Sequence, residues 1–107
     1  MAFYELRQYT VLEGQMENWL KVMHEEIIPF QVAKGMVIAG SFRGEEDDTV
    51  YVWIRRFENE AERERLYDEV YGSDYWNDDV TPRLSSMLNR EAMVVTRLTP
   101  TQMSILQ

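Results

Sequence analysis

Between Thr49 and Phe57 the side chains alternate in character along the clearest strand in the chain. Val50, Val52 and Ile54 fall on one face of an extended segment, and Tyr51, Trp53, Arg55 and Phe57 on the other. Met36 to Arg43 reads as a second strand, and the polar stretch Gly44-Glu45-Glu46-Asp47-Asp48 joins the two into a hairpin. A lone hairpin is marginal in water. What flanks it therefore decides the fold.

Upstream, Phe3 to Thr10 alternates as a strand. Met16, Trp19, Leu20, Met23 and Ile27 then recur at helical spacing, which predicts an amphipathic helix over about residues 15–33. Pro29 is expected to kink or break its end, and Gly35 to stop it. Downstream, Asn59 with Glu62 three residues later forms a helix start of the capping-box kind. That helix runs through Ala61, Leu66 and Val70 to about Tyr71. Gly72-Ser73 interrupts it, with Ser73 placed to cap the next turn, and Trp76, Val80, Leu84 and Leu88 continue the stripe. Pro82 fits the first position of a new helical segment. Met93 to Leu98 is a last strand.

The order β-α-β-β-α-β is that of an α+β, ferredoxin-like fold: a four-stranded antiparallel sheet with both helices on one face. Residues 1–98 read as one domain and 99–107 as a C-terminal tail. Tyr4, Leu6, Val50, Val52 and Ile54 are expected against the helices. The opposite face would then carry Phe3, Glu5, Arg7, Tyr9, Tyr51, Trp53, Arg55 and Phe57. That face is too aromatic to be left to water. A second copy packed sheet to sheet would cover it and close a barrel with a polar pocket inside, so a homodimer with twofold symmetry is expected.

Composition excludes several classes. The net charge of −8 repels phosphate backbones and anionic membrane surfaces, so neither nucleic acid nor membrane is expected as a partner. No apolar run approaches the roughly 20 residues of a membrane span, and the first residues lack a signal-peptide pattern. A cytoplasmic protein is expected. With no cysteine and a single histidine, a metal site is not expected. Glycine-rich nucleotide motifs, nucleophile elbows and His-Glu-x-x-His are all absent. No cofactor is expected.

The segment Tyr4-Glu5-Leu6-Arg7-Gln8-Tyr9-Thr10, followed by Gly14, resembles the opening of the NIPSNAP family in the dimeric α+β barrel superfamily. His24 through Pro29 with Lys34-Gly35, the run Val50-Tyr51-Val52-Trp53 leading to Ala61-Glu62-Arg63-Glu64, and Ser73-Asp74-Tyr75-Trp76 are similar to further segments of that family. The last is one residue shorter in spacing here. The resemblance implies the ferredoxin-like fold and a dimer. Relatives in the wider superfamily include cofactor-independent monooxygenases, haem-handling enzymes and lactone isomerases, all using the cavity between sheet and helices.

Glu5, Arg7 and Arg55 are the candidate catalytic residues: a carboxylate as general base, with a guanidinium holding a carboxylate or enolate oxygen. The competing reading is an ion-pair network that fixes sheet pairing or dimer register. Tyr9, Tyr51, Trp53 and Phe57 are candidates to stack on a planar substrate or to fill a dimer core. His24 is a candidate acid–base group or haem ligand, against a plain boundary histidine. Tyr71, Tyr75 and Trp76 cluster at the break between helices, as packing or as a pocket lid. The acidic hairpin turn lacks the alternate ligand spacing of a calcium loop and reads as solvated. Together these readings point to a protein that binds or transforms a small aromatic or apolar molecule without a nucleotide cofactor, and the resemblance implies monooxygenase- or isomerase-like chemistry. The alternative is a non-catalytic homodimeric binding or assembly module.

Overall fold

The computed structural model describes residues 1–107. Its elements are β1 (Phe3–Val11), α1 (Met16–Val22), a π-helical turn (Met23–Ile27), α2 (Ile28–Lys34), β2 (Val37–Arg43), β3 (Val50–Phe57), α3 (Glu60–Tyr71), a second π-helical turn (Tyr75–Val80), α4 (Thr81–Leu84) and β4 (Leu88–Leu98). The four strands form one antiparallel sheet in the order β2-β3-β1-β4. This is the ferredoxin-like arrangement. No helix is long and apolar enough to cross a membrane.

The two prolines within helical segments, Pro29 and Pro82, produce neither a break nor a sharp stop. Pro29 lacks the N–H that an α-helix would direct to the Glu25 carbonyl. The chain widens just before it, and the Ile28 N–H reaches the Met23 carbonyl five residues back. From Met16 to Lys34 the helix is continuous. The same happens before Pro82, where the Thr81 N–H reaches the Trp76 carbonyl. Pro82 stands within the first turn of α4.

Caps fall where the residues predict them. The Asn59 side chain accepts from the Glu62 N–H at 2.8 Å, and Glu62 reaches back to the Glu58 N–H at 3.1 Å. The Ser73 hydroxyl accepts from the Trp76 N–H at 3.2 Å. Gly35 ends α2 with φ +110°, a left-handed conformation that glycine adopts without a Cβ clash.

The sheet faces are the reverse of the expected ones. Register pairs Glu5 with Arg55, Arg7 with Trp53 and Tyr9 with Tyr51, and this face lies under the chain's own helices. Glu5, Tyr9, Tyr51, Trp53, Arg55 and Phe57 are all buried. Two physical facts account for the reversal. The aromatics on this face offer more apolar area to hide than Leu6, Val52 and Ile54 do. The charges, facing each other across the β1–β3 register, neutralise one another at the moment of burial. The aromatic, charged face is therefore unavailable to a second copy of the chain.

The other face carries Leu6, Val52, Ile54, Val94 and Leu98. Val94 and Phe42 remain more than half exposed there, at 54% and 56%. The C-terminal segment folds back over one corner. The Gln107 carbonyl accepts from the Tyr4 hydroxyl at 2.9 Å and from Arg56 Nε at 2.7 Å.

β4 is longer than Met93 to Leu98. Leu88 and Asn89 pair with Val11 and Thr10, and Val94 pairs with Gln8. One residue of β1, Tyr9, thus stands against the four residues 90–93 of β4, which bulge out of the ladder.

Candidate functional site

A cavity of about 250 Å³ lies between sheet and helices. Arg7 and Tyr9 of β1 and Trp53 of β3 form its sheet side. Trp19 of α1, with Met23 and Ile27 of the first π-helical turn, forms one wall. Tyr67 and Tyr71 of α3 and Trp76 of the second π-helical turn form another. Leu84, Leu88 and the β4 bulge residues Arg90 and Met93 complete the lining, with Arg90 exposed. Each π-helical turn therefore delivers lining side chains, and each is widened by the proline that follows it. All three tryptophans of the chain line this one space.

Behind the cavity sits a closed polar cluster. The Glu5 carboxylate accepts from Arg55 at 2.8 Å, from Arg63 at 2.9 Å and from the Tyr67 hydroxyl at 2.7 Å, with Arg7 at 3.7 Å. Burial works to raise the Glu5 pKa. The hydrogen bonds from Tyr67 and Arg63, with the charge and hydrogen bond of Arg55, outweigh it and hold the pKa at about 2. Arg55 also donates to the Gln31 side chain at 2.9 Å and to the Tyr71 hydroxyl at 2.7 Å, and its guanidinium lies 4.8 Å from the Trp53 ring. Burial pushes the Tyr67 hydroxyl up to about 12 against the pull of nearby arginines. Its proton stays in place at neutral pH.

Arg7 links cluster and cavity. Its side chain is 14% exposed. Nε donates to the Tyr9 hydroxyl at 2.9 Å, one Nη to the Tyr67 hydroxyl at 3.1 Å and the other to the Met93 sulfur at 3.2 Å.

Of the residues singled out in the sequence, Arg7, Tyr9 and Trp53 line the cavity. Glu5 and Arg55 stand behind its wall. Tyr51 packs against Tyr9 and Trp19 and bonds to Ser41 at 2.6 Å. Phe57 packs with Phe3 and Tyr67 at the other end of the sheet. His24 is exposed and does not line the cavity. Tyr71 and Trp76, from the cluster at the helix break, do line it, whereas Tyr75 stacks on Phe30. No three acidic or histidine side chains converge on a point where a metal ion could sit.

Tyr67 is not singled out in the sequence, and the charged run Glu62-Arg63-Glu64-Arg65 predicts a solvated helix face, whereas Arg63 turns in to bond the buried Glu5 at 2.9 Å. Their signal is present nonetheless: Arg63, Tyr67 and Tyr71 recur at spacing four along α3, a polar-tipped stripe beside the apolar Leu66 and Val70. Arg90 carries no such signal, because its position depends on the bulge.

A family model described as NIPSNAP matches residues 4–104. Among solved structures, a NIPSNAP family protein from Agrobacterium tumefaciens str. C58 superposes with a TM-score of 0.86 at 24% identity, covering 100% of both chains. An uncharacterised NIPSNAP domain protein from Burkholderia xenovorans gives 0.82 at 17% identity, covering 95% of this chain and 97% of its own. A Caulobacter crescentus CB15 protein described as a candidate antibiotic biosynthesis monooxygenase gives 0.71 at 14% identity, covering 94% and 91%. No curated protein matches the chain. At these identities the structural likeness concerns the fold.

Proposed function

We propose that this chain, which belongs to the NIPSNAP family, takes a small aromatic or apolar molecule into the cavity between its sheet and its helices. The observation that carries the reading is the lining itself: three tryptophans and three tyrosines around about 250 Å³, with the charged Arg7 among them. A cavity of about 150 Å³ is enough for benzene. This space suits one ring with a short side chain, below the roughly 300 Å³ of drug-sized sites.

If the bound molecule is turned over, the reaction class that suits the site is cofactor-independent oxygenation or isomerisation. Of the two, oxygenation is what the description of the Caulobacter neighbour names. Arg7 is the group placed to stabilise a developing oxyanion. Glu5, with its carboxylate hydrogen-bonded on both oxygens, is a poor proton acceptor at neutral pH. In this reading Glu5 positions Arg7, and Arg55 positions Glu5.

A second reading rests on a different surface. The outer sheet face, with Phe42, Val94 and Leu98 exposed, suits packing against a second copy of the chain, giving a homodimeric module with or without turnover. The two readings use opposite faces of the sheet and are compatible.

Titration with 3-phenylpropan-1-ol, a one-ring neutral probe, tests the cavity reading through tryptophan fluorescence, since every tryptophan lines the cavity. A saturable change is expected. A flat titration, with no small molecule retained in native mass spectra of the purified protein, would remove the reading.

A further inference from the structure

We infer that the ligand of this cavity is a monoanion, an apolar or one-ring carboxylic acid whose carboxylate sits at Arg7. The inference rests on the cavity reading above and names the chemical class that the same site selects.

The first observation is the hydrogen-bond inventory of the lining. No Asp, Glu, Asn, Gln, Ser or Thr side chain faces the cavity. Its polar members are arginines, tyrosines and tryptophans, and their acceptor capacity is already taken. The Tyr9 oxygen accepts from Arg7 Nε at 2.9 Å and from Trp53 Nε1 at 3.0 Å, so its own hydrogen has no acceptor on the protein. The Tyr71 oxygen accepts from Arg55 at 2.7 Å and leaves its hydrogen equally unmatched. The Nη2 group of Arg7 meets only the Met93 sulfur, a weak acceptor. Trp19 Nε1 is buried without any partner. Unmatched donors with no protein acceptor to answer them are costly where the surroundings are apolar. A ligand that brings acceptor oxygens relieves this. One that brings donors does not.

The second observation is charge. Around Glu5 stand Arg7, Arg55 and Arg63, three guanidinium groups to one carboxylate. Glu60 caps the outer side of Arg63 at 3.3 Å but also holds Arg97 at 2.7 Å, so the wider cluster keeps an excess of two positive charges. At the exposed side of the cavity Arg90 has neither an ion-pair nor a hydrogen-bond partner. A chain of net charge −8 thus gathers uncompensated positive charge at one apolar cavity. A guanidinium that lacks a good acceptor on one edge suits the two oxygens of a carboxylate. Only one arginine reaches the interior, so a single negative charge is matched there and a second would be left unpaired.

The test compares matched one-ring probes of different charge: 3-phenylpropanoate, 3-phenylpropan-1-ol and 3-phenylpropylamine, titrated against the full chain and read by tryptophan fluorescence and calorimetry. The expected order is acid tighter than alcohol by about tenfold or more, with the amine weakest. In Arg7→Met the acid should lose its advantage and bind no tighter than the alcohol does to the same variant. Arg7→Lys should keep part of the preference. Arg90→Gln should slow acid association and weaken its salt dependence by more than it alters alcohol binding. Unfolding curves of each variant separate lost binding from lost fold, and the wild-type comparison stands without any variant. If alcohol and acid bind equally, the carboxylate assignment is wrong while the cavity reading survives. If none of the three binds, both fall.

Discussion

At Glu5 one carboxylate meets Arg55, Arg63 and the Tyr67 hydroxyl within 2.9 Å, on a side chain 1% exposed. Such a group ties folding to pH. Its folded pKa of about 2 lies below the 4.5 of the unfolded chain. The native state therefore binds fewer protons than the unfolded one between these values. The stabilisation is complete above about pH 4.5 and is lost as pH falls towards 2. From the size of the shift it is on the order of 3 kcal/mol. Urea midpoints measured across that window should fall steeply in the wild type and less so in Glu5→Gln. At neutral pH Glu5→Gln leaves Arg55 buried without its counter-charge and should cost about 3–5 kcal/mol. A loss below about 1 kcal/mol would mean that the cluster tolerates an unpaired guanidinium.

At the scale of elements, strand and helix order is legible from periodicity, and the helix starts from Asn59 and Ser73. Which face of the sheet the helices cover is not. Phe3, Glu5, Arg7 and Tyr9 on one side of β1 oppose Tyr4 and Leu6 on the other, and both sides carry aromatics. The decision belongs to residues some 60 positions away, Arg63 and Tyr67, whose guanidinium and hydroxyl make Glu5 a buriable group. Of the charged trio Glu5, Arg7 and Arg55, Arg7 alone lines the cavity, beside Tyr9 and Trp53; Glu5 and Arg55 lie one layer deeper. Pro82 stands in the first turn of α4, where its residue type predicts it, but Pro29 is legible only as a residue and not in effect, because a widened helical turn absorbs it. Gly35 gives a sharp test of this level. Its φ of +110° disfavours any side chain, and a Cβ there would lie 3.4 Å from Leu66 Cδ2. Gly35→Ala should lower stability by about 1–2 kcal/mol in chemical unfolding. An unchanged midpoint would mean that the α2–β2 junction relaxes.

For the whole molecule, the consequence of the face reversal is a division of labour between the two sides of one sheet. The helix-covered side holds the charged cluster and the cavity. The open side holds Leu6, Val52, Ile54, Val94 and Leu98, with the C-terminal segment over one corner. Dimerisation in the proposed reading uses this open side, where a stable interface would bury roughly 1,200–2,000 Å². Val94→Glu places a charge on that face, on its exposed edge strand β4. Light scattering should then report half the wild-type mass, while binding of 3-phenylpropan-1-ol on the opposite side persists. A wild type that is monomeric at all concentrations would end the dimer reading and leave the cavity untouched.

The bulge in β4 sets a further property of the fold. The ladder is in register on both sides of residues 90–93, held by Leu88 and Asn89 before and by Val94 onward after. This short stretch can change length or composition without shifting a strand pair, and it carries Arg90 and Met93 to the cavity. Part of the cavity lining thus stands outside the strand register. A change of length at residues 90–93 would therefore fall on the cavity lining first, with the paired strands anchored on either side of it.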